Sequence, residues 1–278
     1  MATDPYADPL HQPFLMAAGP THVLLVPGFL GTPKEMRPLG EALAAAGITA
    51  RSVQLPGFGS DYGRLALVGG AEWVETATRA WLETRADAER TVLLGFSMGA
   101  AVALQLAALA PPDALVLLAP HWRFADKRAV ALPLIKSVMK EFRPFAKANF
   151  ADPGTRRMFT EMAPDADLDD PAIQTRLRQQ TALPTRTLDE LRRLGNAAGA
   201  AARRVTAPTT ILQGRADTTS RPAYTRLLGL RLGGTLTLRE FPGGHQLVDP
   251  AQPTWDTVRD EVVAVGRAVA GDMAGVGT

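Results

Sequence analysis

Gly95-Phe96-Ser97-Met98-Gly99 sets a serine between two glycines where an apolar run, Val92 to Leu94, gives way to a small-residue stretch from Met98 to about Ala110. A serine that attacks a carbonyl has to be held at the tip of a tight strand-to-helix turn, and that turn crowds the positions two before and two after it. Glycine at 95 and 99 relieves the crowding. With Gly at 25 of 278 positions and five serines in all, chance supplies roughly 0.04 such pentapeptides, so the spacing identifies Ser97 as the candidate nucleophile. A glycine-rich turn that merely packs closely is the competing account. Ser52, Ser60, Ser137 and Ser220 have no such surroundings.

Acyl transfer by serine also needs a base, an acid that orients the base, and donors where an oxyanion develops. His245, in Gly243-Gly244-His245 directly after an apolar run ending at Phe241, is the candidate base. His121 follows another such run and is the competitor, but it precedes the acid in the chain; lining a pocket suits it better. His11 and His22 read as structural. Asp217, in Gly214-Arg215-Ala216-Asp217 after the run Thr209 to Leu212, is the candidate acid, against the plainer reading of a loop or helix cap. Asp126 is the alternative acid, and Asp249 reads as a turn residue. Ser97, Asp217 and His245 then occur in the order Ser, Asp, His. The backbone N–H groups of Phe29 and Met98 are the candidate oxyanion donors.

These residues need elements to carry them. His22 to Val26, Ile48 to Leu55, Val92 to Leu94, Ala114 to Ala119, Thr209 to Leu212 and Thr235 to Phe241 read as strands, and Pro13 to Met16 as a short edge strand. Helical spacing lies between them: from Thr32 or Pro33 to Gly47, through Trp73 to Leu82, from Met98, near Arg221–Leu232, and over Pro253–Ala270. Alternation of this kind predicts an α/β fold with a mainly parallel, doubly wound sheet, whose ligands sit at the carboxyl ends of the strands. Residues 121–206 interrupt it. Strand-like runs vanish there and helical spacing takes over (Leu132-Ile135-Met139-Phe142, Met158-Met162, Ile173-Leu177, Leu188-Leu191-Leu194), which predicts an inserted helical cap between core segments 1–120 and 207–278. Leu30, His121, Trp122, Phe124 and Met139 are the candidate substrate-binding residues. Leu134, Phe142, Phe145, Met158, Phe159 and Met162 could extend an apolar pocket or simply pack the cap.

Composition narrows the classes. The chain has 30 Lys+Arg against 28 Asp+Glu, with no basic tract interleaved with aromatics, so nucleic acid is not implied. The cap segment holds 16 Lys+Arg and 10 Asp+Glu, which reads as a solvated basic surface before any attraction for acidic substrates or membranes. Absence of Cys rules out disulfides and thiolate chemistry. Four scattered histidines show no metal-ligand spacing. Met1 to Pro20 carries Asp4 and Asp8 but no Lys or Arg, which does not make a secretory signal, and no apolar run reaches spanning length; a cytoplasmic protein without an integral membrane segment is expected.

The motif residues resemble the α/β-hydrolase superfamily, and more narrowly its bacterial carboxylesterase and monoacylglycerol-lipase group. The likeness rests on Val23-Leu24-Leu25-Val26-Pro27-Gly28-Phe29-Leu30-Gly31-Thr32-Pro33-Lys34-Glu35-Met36-Arg37-Pro38-Leu39, on Gly57-Phe58-Gly59 and on the serine pentapeptide. Relatives usually carry His-Gly at Pro27-Gly28 and Gly-His-Gly at Gly57-Phe58-Gly59; both departures fall near the pocket. The resemblance implies an α/β-hydrolase fold and an acyl-serine route on carboxylic esters, short to medium or monoacylglycerol-like, with no cofactor. The same three residues also serve thioesters, lactones, amides and carbon–carbon bonds, and some proteins of this fold bind small molecules without catalysis. The oligomeric state is left open.

Overall fold

The strands whose sequences carry the fewest polar side chains form the centre of the sheet, where both faces are covered. The computed structural model describes residues 6–152, 155–156, 167–180 and 182–271. A seven-stranded sheet is built from β1 (Phe14–Met16), β2 (Thr21–Val26), β3 (Thr49–Ser52), β4 (Arg90–Phe96), β5 (Ala114–Leu118), β8 (Thr209–Gly214) and β9 (Leu236–Phe241). Its order is β1-β3-β2-β4-β5-β8-β9; only the edge strand β1 runs antiparallel, and the rest are parallel. The register sets Leu24 beside Leu93, Leu94 beside Val116 and Leu117 beside Ile211. Every parallel strand therefore delivers its carboxyl end to one edge.

Alternation along each strand divides the apolar residues between two cores. Val23, Leu25, Val92 and Leu94 meet Met36, Leu39 and Leu43 of α1 (Pro33–Ala45) and Val258 and Val262 of the last helix (Trp255–Gly271). Leu24, Val26 and Leu93 meet Trp73 and Trp81 of α2 (Gly70–Ala86) and most of α3 (Met98–Leu109) on the other face. Helix α3 is apolar apart from Gln105 and buried along most of its length, as a helix covered by sheet and neighbouring helices must be; only its last turn, at Leu109, is exposed. One side meets the sheet and another meets a later helix, Thr185–Ala201, whose Leu191, Leu194 and Ala198 join the same cluster.

Two expectations are corrected here. The strand expected over Ile48 to Leu55 stops at Ser52, because its partner β2 leaves the sheet at Pro27-Gly28; Leu55 instead turns into the second core. Residues 121–206 are less helical than their spacing suggests. Only Leu132–Ile135 (α4) forms an α-helical turn in the Leu132–Phe142 stretch, and β6 (Glu141–Phe142) pairs antiparallel with β7 (Leu183–Pro184). A helix over Pro171–Gln180 (α5) and the long Thr185–Ala201 helix (α6) follow the spacing, whereas Met158 to Met162 lie outside the described residues. Between β8 and β9 lies α7 (Pro222–Gly229), and Trp255–Gly271 is α8. Among the described residues, no helix is long and apolar enough to cross a membrane.

Candidate active site

Ser97 stands at the β4–α3 junction with φ +52° and ψ −114°, a conformation L-residues seldom adopt. Main-chain bonds hold it there. Its N–H donates to Leu118 O at 2.9 Å, and its carbonyl accepts from His121 N at 3.0 Å and Ala100 N at 3.1 Å. A Cβ on Gly95 would collide with the Gly99 carbonyl, and one on Gly99 with the carbonyls of Val26 and Pro27. The two glycines let the first turn of α3 lie directly against the ends of β2 and β4.

The loop after β9 brings in His245. It is tied to the loop after β8 by Arg215 N donating to Phe241 O and Ala216 N to Gly243 O, both at 2.8 Å. Asp217 follows on that second loop, with its side chain fully buried. Its Oδ1 accepts from Thr219 N at 2.9 Å and Ser220 N at 2.7 Å. Its Oδ2 accepts from Gln213 Nε2 at 2.9 Å and faces His245 Nδ1 at 2.9 Å. An ionised carboxylate only accepts, so His245 must carry its proton on Nδ1 and turn a bare Nε2 toward Ser97 Oγ, 2.9 Å away. The two readings of Asp217, loop cap and histidine partner, are both realised, one on each oxygen.

The other candidates separate cleanly. Asp126 lies on the cap surface and pairs with Arg128. Asp249 holds a turn by accepting from Ala251 N at 2.9 Å. His11 Nδ1 is 2.8 Å from Thr32 Oγ1, remote from the serine relay. His121 is buried beside the relay with its ring edge-on to Phe124, 5.0 Å between centroids. Burial, helped by the nearness of His245 and opposed by Asp217, lowers it to about 4, so it is neutral at ordinary pH.

Ser97 and His245 open on a cavity of about 360 Å³ whose wall includes Phe29, Leu30, Met98, His121 and Phe124. Trp122 and Met139 are corrections. Trp122 turns away to donate from its indole N–H to Tyr224 O at 2.9 Å and packs on Gly195 and Gly199, where any Cβ would strike it. Met139 is 41% exposed, because the helix that its spacing predicts through Phe142 ends at Ile135. Of the remaining cap candidates, Leu134 and Phe142 are exposed, and Phe145 packs in a separate cluster with Phe150 and Leu168. Met158, Phe159 and Met162 lie outside the described residues. Leu183, Leu188 and Leu191 form the cap wall instead.

The roles of two residues, Gln213 and Glu35, escaped the sequence reading, and a third, Phe58, was placed near the pocket without a role. Gln213 links Asp217 to Thr225 and to the Ser220 carbonyl; nothing in an apolar strand marks its last polar residue as a brace. Glu35 lines the cavity from the first turn of α1. Phe58, one of the departures from the relatives' pattern, is fully buried, with its ring 5.6 Å from Phe29 edge-to-face and 5.5 Å from Trp73. It supplies an apolar backing to Phe29 where an imidazole would need a partner.

The family profile described as serine aminopeptidase, S33, matches residues 20–248. The chain belongs to this family. A thermostable monoacylglycerol lipase of Bacillus sp. (strain H-257) is 40% identical to this S33-family chain over 98 residues, a match that spans 34% of this chain and 38% of that protein's length. Among solved structures, one from a study of the metagenome-derived lipolytic enzymes LipS and LipT superposes with a TM-score of 0.74 at 20% identity, covering 94% of this chain and 98% of the other. The monoacylglycerol lipase of Paleococcus ferrophilus gives 0.68 at 16% identity, with coverage of 92% and 98%. Likenesses at this identity establish a shared α/β-hydrolase fold.

Proposed function

We propose that this S33-family chain is a serine esterase that cleaves carboxylic esters through an acyl-enzyme on Ser97. The observation that carries the reading is the buried relay of Asp217, His245 and Ser97, with both contacts at 2.9 Å. His245 Nε2 takes the Ser97 Oγ proton as Oγ bonds to the ester carbonyl carbon; Asp217 stabilises the imidazolium. The Phe29 and Met98 N–H groups bind the oxyanion, and nothing among the described residues accepts from the Phe29 N–H. His245 returns the proton to the departing alkoxide, which leaves as the alcohol. Water, deprotonated by the same nitrogen, then releases the acid. Segment 121–206 serves as the cap in this reading, with α6 doubling as a core helix.

The substrate side rests on the cavity. At about 360 Å³ and walled largely by Phe, Leu and Met side chains, it suits a short to medium acyl chain or a monoacylglycerol-like ester, since pockets for small ligands begin near about 300 Å³. The partial likeness to a monoacylglycerol lipase supports the same class. A fluorophosphonate probe tests the chemistry: it should label the wild type at Ser97 and leave Ser97→Ala unmodified. A p-nitrophenyl ester series run beside matched thioester and amide substrates tests the class. Amide or thioester turnover above that of every ester would overturn it.

A further inference from the structure

Thr32-Pro33-Lys34-Glu35 at the start of α1 has the Thr-x-x-Glu spacing of a capping box, in which the glutamate reaches back to the N–H of the capping threonine. The structure does something else. Thr32 makes no side-chain cap; its Oγ1 lies 2.8 Å from His11 Nδ1. Glu35 reaches past Thr32, and its Oε1 accepts from the Gly28 N–H at 2.5 Å. The carboxyl sits inside the turn closed by Gly31 N donating to Gly28 O at 3.1 Å, so close that a Cβ on Gly31 would collide with it. Leu30, at the tip of this turn, has φ +61°, a left-handed conformation that costs an ordinary L-residue about 1 kcal/mol and persists only when its surroundings impose it. The Gly28–Phe29 peptide, inside this turn, is the one that presents the Phe29 N–H.

The geometry points to Glu35 as a positioning residue of the oxyanion loop: its carboxyl group clamps the 28–31 turn so that the Phe29 N–H is aimed at the charge that develops on the substrate carbonyl oxygen. This rests on the assignment of Phe29 as an oxyanion donor. A helix cap needs only a local acceptor; the diversion to Gly28 and the strained Leu30 are what a loop brace requires. Glu35 is half-buried and lines the cavity, and burial raises its carboxyl to about 7 against the opposing pull of the Gly28 N–H and of His245. Protonated or not, Glu35 keeps an oxygen lone pair toward Gly28, so a glutamine amide can take the same place.

The test is a variant series assayed with a p-nitrophenyl ester, with thermal unfolding and amide hydrogen exchange at Gly28 in parallel. Glu35→Ala should lower kcat by about ten- to a hundredfold with KM within about twofold, because a donor displaced by a fraction of an ångström still admits substrate. Glu35→Gln should restore kcat to within about threefold of wild type, since the amide oxygen still accepts from Gly28. Gly31→Ala, which pushes the carboxyl out without deleting it, should act like Glu35→Ala, and the double variant should be no worse than either alone. Gly28 exchange should accelerate in Glu35→Ala and Gly31→Ala but not in Glu35→Gln. Full kcat in a folded Glu35→Ala or Gly31→Ala, a Glu35→Gln as impaired as Glu35→Ala, or unchanged Gly28 protection overturns the clamp. A wild type that neither labels nor turns over ester, yet loses Gly28 protection on Glu35→Ala, overturns the esterase reading and keeps the loop brace.

Discussion

Asp217 accepts two backbone N–H groups on one oxygen and two side-chain donors on the other, so its lone pairs are committed and the His245 tautomer follows. Asp217→Asn keeps the size but puts an N–H₂ where an acceptor is needed. It can satisfy the loop or His245, not both. We expect kcat at neutral pH to fall by about 10⁴-fold with folding retained, measured against the ester series. His121 supplies the second residue-scale prediction. Its folded value, lowered to about 4 from 6.5, means that the native state binds fewer protons than the unfolded chain between those limits. Its contribution to stability is therefore complete above about pH 6.5 and is lost as pH falls toward 4, by up to about 3 kcal/mol. His121→Gln should flatten that acid limb of the Tm-versus-pH curve; an unchanged limb would show that other groups set it. The sequence placed His121 at the right sheet edge, but its protonation state depends on enclosure by Phe124 and the relay, which no local pattern encodes.

Helix α6 joins residues 127–142 to the helices that cover the sheet. Its inner face, Leu191, Leu194 and Ala198, packs with α3, and its first turn reaches the other way: Thr187 Oγ1 donates to Leu65 O at 3.1 Å and Arg186 to Ala66 O at 2.9 Å. Asp189, with no exposed side-chain surface, is closed over by Lys136 at 2.5 Å, Arg192 at 2.7 Å and Arg193 at 3.3 Å. Burial raises its carboxyl, but the bonds from Lys136 and Arg192 outweigh burial and hold it below the usual carboxylate range. Lys136 directly follows α4, so this cluster pins the start of the cap to α6. Asp189→Ala should leave three cations to rehydrate, at a cost of about 2 kcal/mol because they are partly exposed. The first consequence should be proteolysis within residues 127–142 while the sheet stays intact, read by limited digestion and mass spectrometry. Cleavage elsewhere would place the anchor on another contact. Spacing alone located α6 well, whereas it overextended α4, because the apolar residues after Ile135 face solvent or pair as a strand.

For the whole molecule, residues 121–206 pair six of their 16 Lys+Arg with five of their 10 Asp+Glu among the described residues, so the basic excess of the segment stands. Lys136, Arg192 and Arg193 surround Asp189, Arg193 also meets Glu190, Arg156 meets Asp169, Arg128 meets Asp126 and Arg143 meets Glu141. Among the described residues no Lys or Arg lines the cavity, so the excess acts on a bound ester only from a distance, where salt screens it. Between about 20 and about 500 mM salt, kcat/KM for a neutral and an anionic ester should change in parallel, within about twofold. A steep fall for the anionic ester alone would mean that the cap steers charge. The sequence by itself determined the strand order of chemistry along the chain, the serine turn and the two loops that carry Asp217 and His245, because each depends on short-range sterics: glycine at a crowded turn, apolar runs ending in Pro or Gly. Only the tertiary structure decided which apolar side chains meet the substrate and which brace the site. Trp122 and Leu183 are equally apolar in the sequence; one turns into the core beneath Gly195 and Gly199, and the other faces the cavity. Gln213 and Glu35 look unremarkable until strand pairing and helix docking put Asp217 and Gly28 within reach, since a hydrogen bond between distant residues is fixed by packing and leaves no periodic mark.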